Sequence, residues 1–153
     1  MAKKFNGVEI VKKIDKALDE ATAQFLTNTQ SKLSAASPVD TGRLASSWNI
    51  GKGQPDLSAP PENLGKPSER VTVNGTSFKV EGTNKADISV KPYSGKITYG
   101  GDWFISSNLP YTYRAAYDPY NGRRGGGDWF TRIENSLSKD IDRIFQSALS
   151  QIK

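Results

Sequence analysis

The stretch Ser37-Pro38-Val39-Asp40-Thr41-Gly42-Arg43-Leu44-Ala45-Ser46-Ser47-Trp48-Asn49-Ile50 is where a helix gives way to a strand. Pro38 stops whatever precedes it, because the proline ring drives the residue before it out of the helical region. Asp40 or Thr41 can cap a new turn through a side-chain oxygen. Leu44 and Trp48, four apart, share one face of a short helix. The stretch therefore predicts a helix stop, a tight turn, a short helix and a strand over 48–50.

Upstream of Pro38 the spacing predicts one long helix. Ile10, Ile14, Leu18, Ala21, Phe25 and Leu33 fall near helical steps and form an apolar stripe. Lys12, Lys13, Lys16, Asp19, Glu20 and Gln24 fill the opposite face. Asn6, with Glu9 three residues later, has the form of a capping pair. Such a stripe belongs against a core or a partner helix rather than around a cofactor.

Downstream, residues 51–69 hold Gly51, Gly53, Pro55, Pro60, Pro61, Gly65 and Pro67 and read as an extended loop or arm. Loops longer than about 15 residues are uncommon unless they bind something or are disordered. Asn74-Gly75 between Val71–Val73 and Thr76–Val80 predicts a two-residue hairpin. Ala86–Val90, Lys96–Tyr99 and Trp103–Ser106 read as further strands, with Gly100-Gly101 as a candidate bulge. Leu109–Tyr117 opens on Pro110 and reads as a short helix. Residues 121–127 form a Gly/Arg loop. A second long helix follows, capped by Asp128, with Phe130, Ile133, Leu137, Ile141, Ile144, Ala148 and Ile152 on its stripe. Helix, strands, helix in that order is an α+β arrangement: an antiparallel sheet with long N- and C-terminal helices on one face, plus a long arm.

The chain of 153 residues suits one domain, taken as 1–153. It has no cysteine, which excludes disulfides and thiolate chemistry, and no histidine, which removes the commonest general base and metal ligand. The acids Asp87, Asp102, Asp118 and Asp128 are scattered, so no carboxylate pair stands out. Carboxylate or lysine chemistry stays open, but no motif supports it, and no metal site is expected. The formal charge of +5 mildly favours acidic partners, but there is no basic block. After Met1-Ala2-Lys3-Lys4 no apolar signal segment follows, and no run approaches the roughly 18 apolar residues of a membrane span. A soluble protein made in a cytoplasm, without a membrane partner, is expected.

Two groups of residues are candidates for contact with partners. Arg123 and Arg124 sit in the Gly-rich loop 121–127, which lacks the spacing of a P-loop but could face DNA without reading its sequence. Tyr111, Tyr113, Tyr117 and Tyr120 could stack on bases or line a protein interface. They leave open a second reading, a sequence-independent nucleic-acid-binding module.

Residues Pro38, Val39, Asp40, Thr41, Gly42 and Leu44, with Ser46-Ser47 after them and a long helix before, resemble a signature of the neck, or tail-completion, proteins of tailed bacteriophages. Leu109-Pro110-Tyr111 leading to Ala115-Ala116-Tyr117 is similar to a second segment of that family, although Tyr117-Asp118-Pro119 stands where an acid and a glycine are usual. The Gly/Arg loop followed by Trp129-Phe130 is similar to a third, without its proline. The resemblance implies a structural virion protein rather than an enzyme, needing no cofactor and assembled in the host cytoplasm, that forms a homo-oligomeric ring (a hexamer or dodecamer) at the head–tail junction. Its neighbours would be connector or stopper proteins on the head side and a tail terminator or tail tube on the other, with genomic DNA passing through the lumen. A tail terminator, or another head–tail connector component, is the close alternative.

Overall fold

The computed structural model describes residues 4, 6–37, 44–58, 70–79, 90–110, 112–117 and 129–152. In chain order these form α1 (Gly7–Ala36), β1 (Asn49–Lys52), β2 (Arg70–Val73), β3 (Thr76–Lys79), β4 (Trp103–Ser106), α2 (Thr112–Tyr117) and α3 (Trp129–Ser150). The class is α+β: two long helices flank small antiparallel strand pairs. The strands divide, among the described residues, into two ribbons rather than one sheet, β1 with β4 and β2 with β3.

Both ends of α1 follow local chemistry. The Asn6 side chain accepts the Glu9 amide at 3.3 Å, which satisfies one of the donors left free at a helix start. Ser37 leaves the helix in an extended conformation just before Pro38, and both its N–H and its hydroxyl donate to the Leu33 carbonyl.

The burial of α1 departs from the expected single stripe. Ile10 is exposed, whereas residues from Ala21 to Ser34 are enclosed on most sides, including Thr22, Thr27, Asn28, Thr29, Gln30, Ser31 and Ser34. Burial here depends on position along the axis rather than on helix face, because α3 packs antiparallel to α1 and ends early. Lys32 meets Asp140 at 2.6 Å, and residues 20–24 lie beside residues 147–152. Several of the buried polar groups find partners that permit this, although the Asn28 Oδ1 is buried without one among the described residues. Thr22 and Thr27 donate to the carbonyls four residues back. Gln30 Nε2 donates to the carbonyls of Trp48, at 2.7 Å, and Lys91, at 3.0 Å.

In the β2–β3 hairpin, Asn74 (φ 52°) and Gly75 (φ 78°) are both left-handed, as a two-residue primed turn requires. Lys96–Tyr99 is not a strand. Its backbone groups are taken by side chains instead: the Asn74 amide bonds both the N–H and the carbonyl of Ile97, Asp19 accepts the Tyr99 amide, and the Trp103 indole donates to Thr98. Of Ala86–Val90 only Val90 is described, and it lies outside any strand. Gly100 and Gly101, with φ of 98° and 80°, make a turn into β4 rather than a bulge. Residues 44–46 form a turn closed by Ser47 N–H to the Leu44 carbonyl, where a short helix was expected. From there the chain passes almost at once into β1; residues 38–43, where that helix would start, lie outside the described residues.

Two apolar clusters result. Ala23, Leu26, Ile50, Phe78 and Ile97 form one; Leu33, Leu44, Trp48, Ala116 and Trp129 form the other; Ile105 packs against both. The first part of the expected 51–69 arm is tied down. Gly51 and Lys52 belong to β1, Asn49 Nδ2 donates to the carbonyls of Asp56 and Ser58, and Ser106 donates to the Asp56 carbonyl. Residues 59–69 lie outside the described residues. The Asp56 carboxylate accepts from the Ser58 hydroxyl and N–H and pairs with Lys91. The Ser58 bonds, with a smaller contribution from Lys91 and against the opposing effect of burial, hold its pKa below the usual carboxylate value.

Replacing Gln30 with Leu leaves the buried Trp48 carbonyl and the part-buried Lys91 carbonyl without this donor. The expected cost is about 2–4 kcal/mol, read as a lower urea midpoint with an unchanged slope. Because the folded pKa of Asp56 is lowered, its stabilising contribution is present above the unfolded value, near 4, and is lost as pH falls through the folded value. Asp56→Asn should therefore be less stable than the parent at neutral pH, with the difference shrinking below about pH 4. Urea unfolding at a series of pH values checks this.

Candidate functional site

The two sequence segments that drew attention, around Leu44 and around residues 109–117, are brought together. Ser47, fully buried, donates to the Leu44 carbonyl at 2.7 Å and meets the Ser107 hydroxyl, which in turn bonds the Thr112 hydroxyl at 2.9 Å. This chain of hydroxyls links the turn after α1 to the first residue of α2. Leu44 and Trp48 then share the cluster that also takes Ala116 of α2 and Trp129 of α3.

Trp48 is the centre of the site. Its indole N–H donates to Ser37 Oγ at 2.9 Å, so the residue that ends α1 also orients the ring. The ring stacks on Phe130, with centroids 6.0 Å apart, and meets Trp129 edge-on at 6.4 Å. Phe130 touches Tyr117 at 5.3 Å, and Tyr117 touches Tyr113 at 5.0 Å. Tyr113 and Tyr117 are one helical turn apart on α2, so they project together. The result is a ladder of rings that rises from the core to the surface and ends on Tyr113, which is 77% exposed.

The chemistry of this ladder is that of a contact surface. The Tyr117 hydroxyl lies 3.4 Å from the Glu134 carboxylate, and desolvation, then Glu134, push its pKa upward. It is a neutral donor at physiological pH, and the charge beside it is negative. Ser46 and Ser47 are both buried, and the chain has no histidine to serve either as a base. Among the described residues no set of three acidic, His or Cys side chains comes together for a metal, and no helix is long and apolar enough to cross a membrane.

Of the residues singled out by sequence, Leu44 is buried and Tyr113 and Tyr117 stand exposed side by side. Pro38, Val39, Asp40, Thr41, Gly42, Tyr111, Arg123 and Arg124 lie outside the described residues. Sequence reasoning missed Ser107, which has no motif around it, and the role of Ser37 as the partner of Trp48. It also missed two exposed apolar places away from the ladder, Val8 with Val11 on α1, and Tyr99 with Ile141 and Leu149 beside and on α3.

A protein-family model, HK97-gp10-like, described as "Bacteriophage HK97-gp10, putative tail-component", matches residues 1–101. That span includes α1, the Pro38–Leu44 signature and both strands of the hairpin. No curated protein and no solved structure matches the chain.

Trp48→Ala should cost about 3–5 kcal/mol, because it empties the centre of a buried cluster. Ser37→Ala, which removes only the acceptor of the indole N–H, should cost about 1–2 kcal/mol. Tyr113→Ala should stay within about 0.5 kcal/mol of the parent. Urea unfolding of the three variants checks this order; an equal loss in all three would mean that Tyr113 belongs to the core.

Proposed function

The chain belongs to the HK97-gp10-like family of bacteriophage tail components, and from that membership we propose that it is a neck, or tail-completion, protein: a ring of identical copies at the head–tail junction that finishes the tail and joins it to the DNA-filled head. The observation that carries this reading is the family match over residues 1–101. The Pro38–Leu44 signature agrees with it. So does a surface that leaves apolar or aromatic side chains exposed in separate places, at Val8 and Val11, at Tyr99, Ile141 and Leu149, and at Tyr113 and Tyr117. A closed ring needs two different complementary surfaces on every copy. In this reading the protein acts by contact and position rather than by catalysis, needs no cofactor, and resides in the virion.

In a phage whose gene for this chain carries a nonsense codon, infected non-suppressing cells should accumulate filled heads and unjoined tails. Particles from suppressing cells should show added ring density at the junction by cryo-electron microscopy. Normal joined particles made without the protein would overturn the reading.

A further inference from the structure

The first two turns of α1 stand clear of the body. The end of α3 shares one cavity with Lys13, Lys16 and Glu20 of α1, so residues 7–12 continue about 9 Å past it. From Val8 to Lys16 every residue except Ile14 is exposed. Val8 is 67% and Val11 56% exposed, and they lie one turn apart on the same flank. A projecting helix has no structural need for exposed valines, since lysine or glutamate would hold the helix better and keep it solvated.

A second apolar flank exists on α3. Ile141, Phe145 and Leu149 follow at steps of four, Ile141 and Leu149 are exposed, and Tyr99 lies against Phe145 with ring centroids 6.0 Å apart. At about 100° per residue, the charged residues on this flank are Glu134 and Asp142, both acidic. Arg132, Lys139 and Arg143 fall roughly a third of a turn further round. The start of α1 has the opposite balance: Lys12, Lys13 and Lys16 against Glu9 and Asp15, with Lys4 just before the helix.

We propose that the projecting start of α1 is a docking arm, and that its occupant site is the Tyr99–Ile141–Leu149 flank of a second copy of this chain. Apolar side chains meet apolar side chains, and a basic arm meets an acidic flank. Because arm and flank are different surfaces, the contact repeats head to tail and can close a ring. The inference rests on the ring reading for its biological setting but not for its chemistry. Two turns of helix bury less than the roughly 800 Å² per partner of a stable pair, so the contact is weak between two free copies and is held by closure of the ring.

The chain has no cysteine, so single cysteines report the contact cleanly. Val11→Cys and Leu149→Cys, both at exposed positions, are oxidised separately and mixed, as concentrated purified protein and in tails assembled in infected cells. The mixed Val11–Leu149 disulfide should dominate over both same-position products. In the mixture, Lys12→Glu on the arm and Asp142→Lys on the flank should each reduce it, and the two together should restore it. No mixed product in either setting overturns the inference, as does dominance of the Val11–Val11 product, which would mean arm-on-arm pairing. Lost tail assembly in Val8→Asp with Val11→Asp, without any copy-to-copy product, would assign the arm to a different tail protein and also overturn it. If imaging finds the ring but no mixed product forms, this inference fails alone. If imaging finds no ring, the ring reading fails, and cross-linking of the purified protein judges the docking by itself.

Discussion

A single amide in the last two turns of α1 ties together two parts of the chain that are far apart in sequence. Gln30 donates one hydrogen to the Trp48 carbonyl at the head of β1 and the other to Lys91, which opens the irregular run toward β4. The bond to Trp48 is made inside the packed body, where an unmet carbonyl is costly, and the bond to Lys91 at its edge. The helix, the first ribbon and the long crossover between its strands are therefore positioned against one side chain. Trp48 carries the constraint onward: its carbonyl is held by Gln30, its indole by Ser37, and its ring by the aromatic residues that open α3.

The polar interior of α1 follows from this. A helix buried on one face would carry apolar residues on that face, but residues 21–34 are surrounded, and several of them are hydroxyls and amides. Thr22 and Thr27 bond the helix's own backbone, and Gln30 bonds carbonyls of Trp48 and of the crossover, so Gln30 specifies which segment lies where as well as filling space. The same holds at Asn74, whose side chain fixes Ile97 from both sides.

How much of this is legible in the sequence depends on how local each cause is. The Asn6–Glu9 cap, the stop before Pro38, the Asn74-Gly75 hairpin and the stripe of α3 rest on neighbours within a few residues, and the residue types alone reveal them. Lys96–Tyr99 carries strand-like residues, yet its backbone partners are side chains from α1, from the hairpin turn and from β4, which no spacing rule can see. The single stripe read along α1 fails because burial there is decided by where α3 ends. At the candidate site, the exposure of Tyr113 and Tyr117 agrees with their role as interface candidates. The hydroxyl chain through Ser107 needs the fold before it can be noticed. The importance of Pro38–Leu44 came from resemblance, and the geometry around Leu44 and Trp48 supplies the physical counterpart, a turn packed between the end of one helix and the start of two others.

α1 is one uninterrupted rod, anchored from about residue 17 onward and free over its first two turns. Its direction in space is thus inherited from the body, and the free end has little orientational freedom left to surrender when it meets a partner. A short helix detached from such an anchor would be marginal in water and would lose much of its contact energy to ordering. Joined to the anchored part, it arrives already shaped and already aimed. Every copy presents it at the same angle, which is what a repeating assembly asks of its parts.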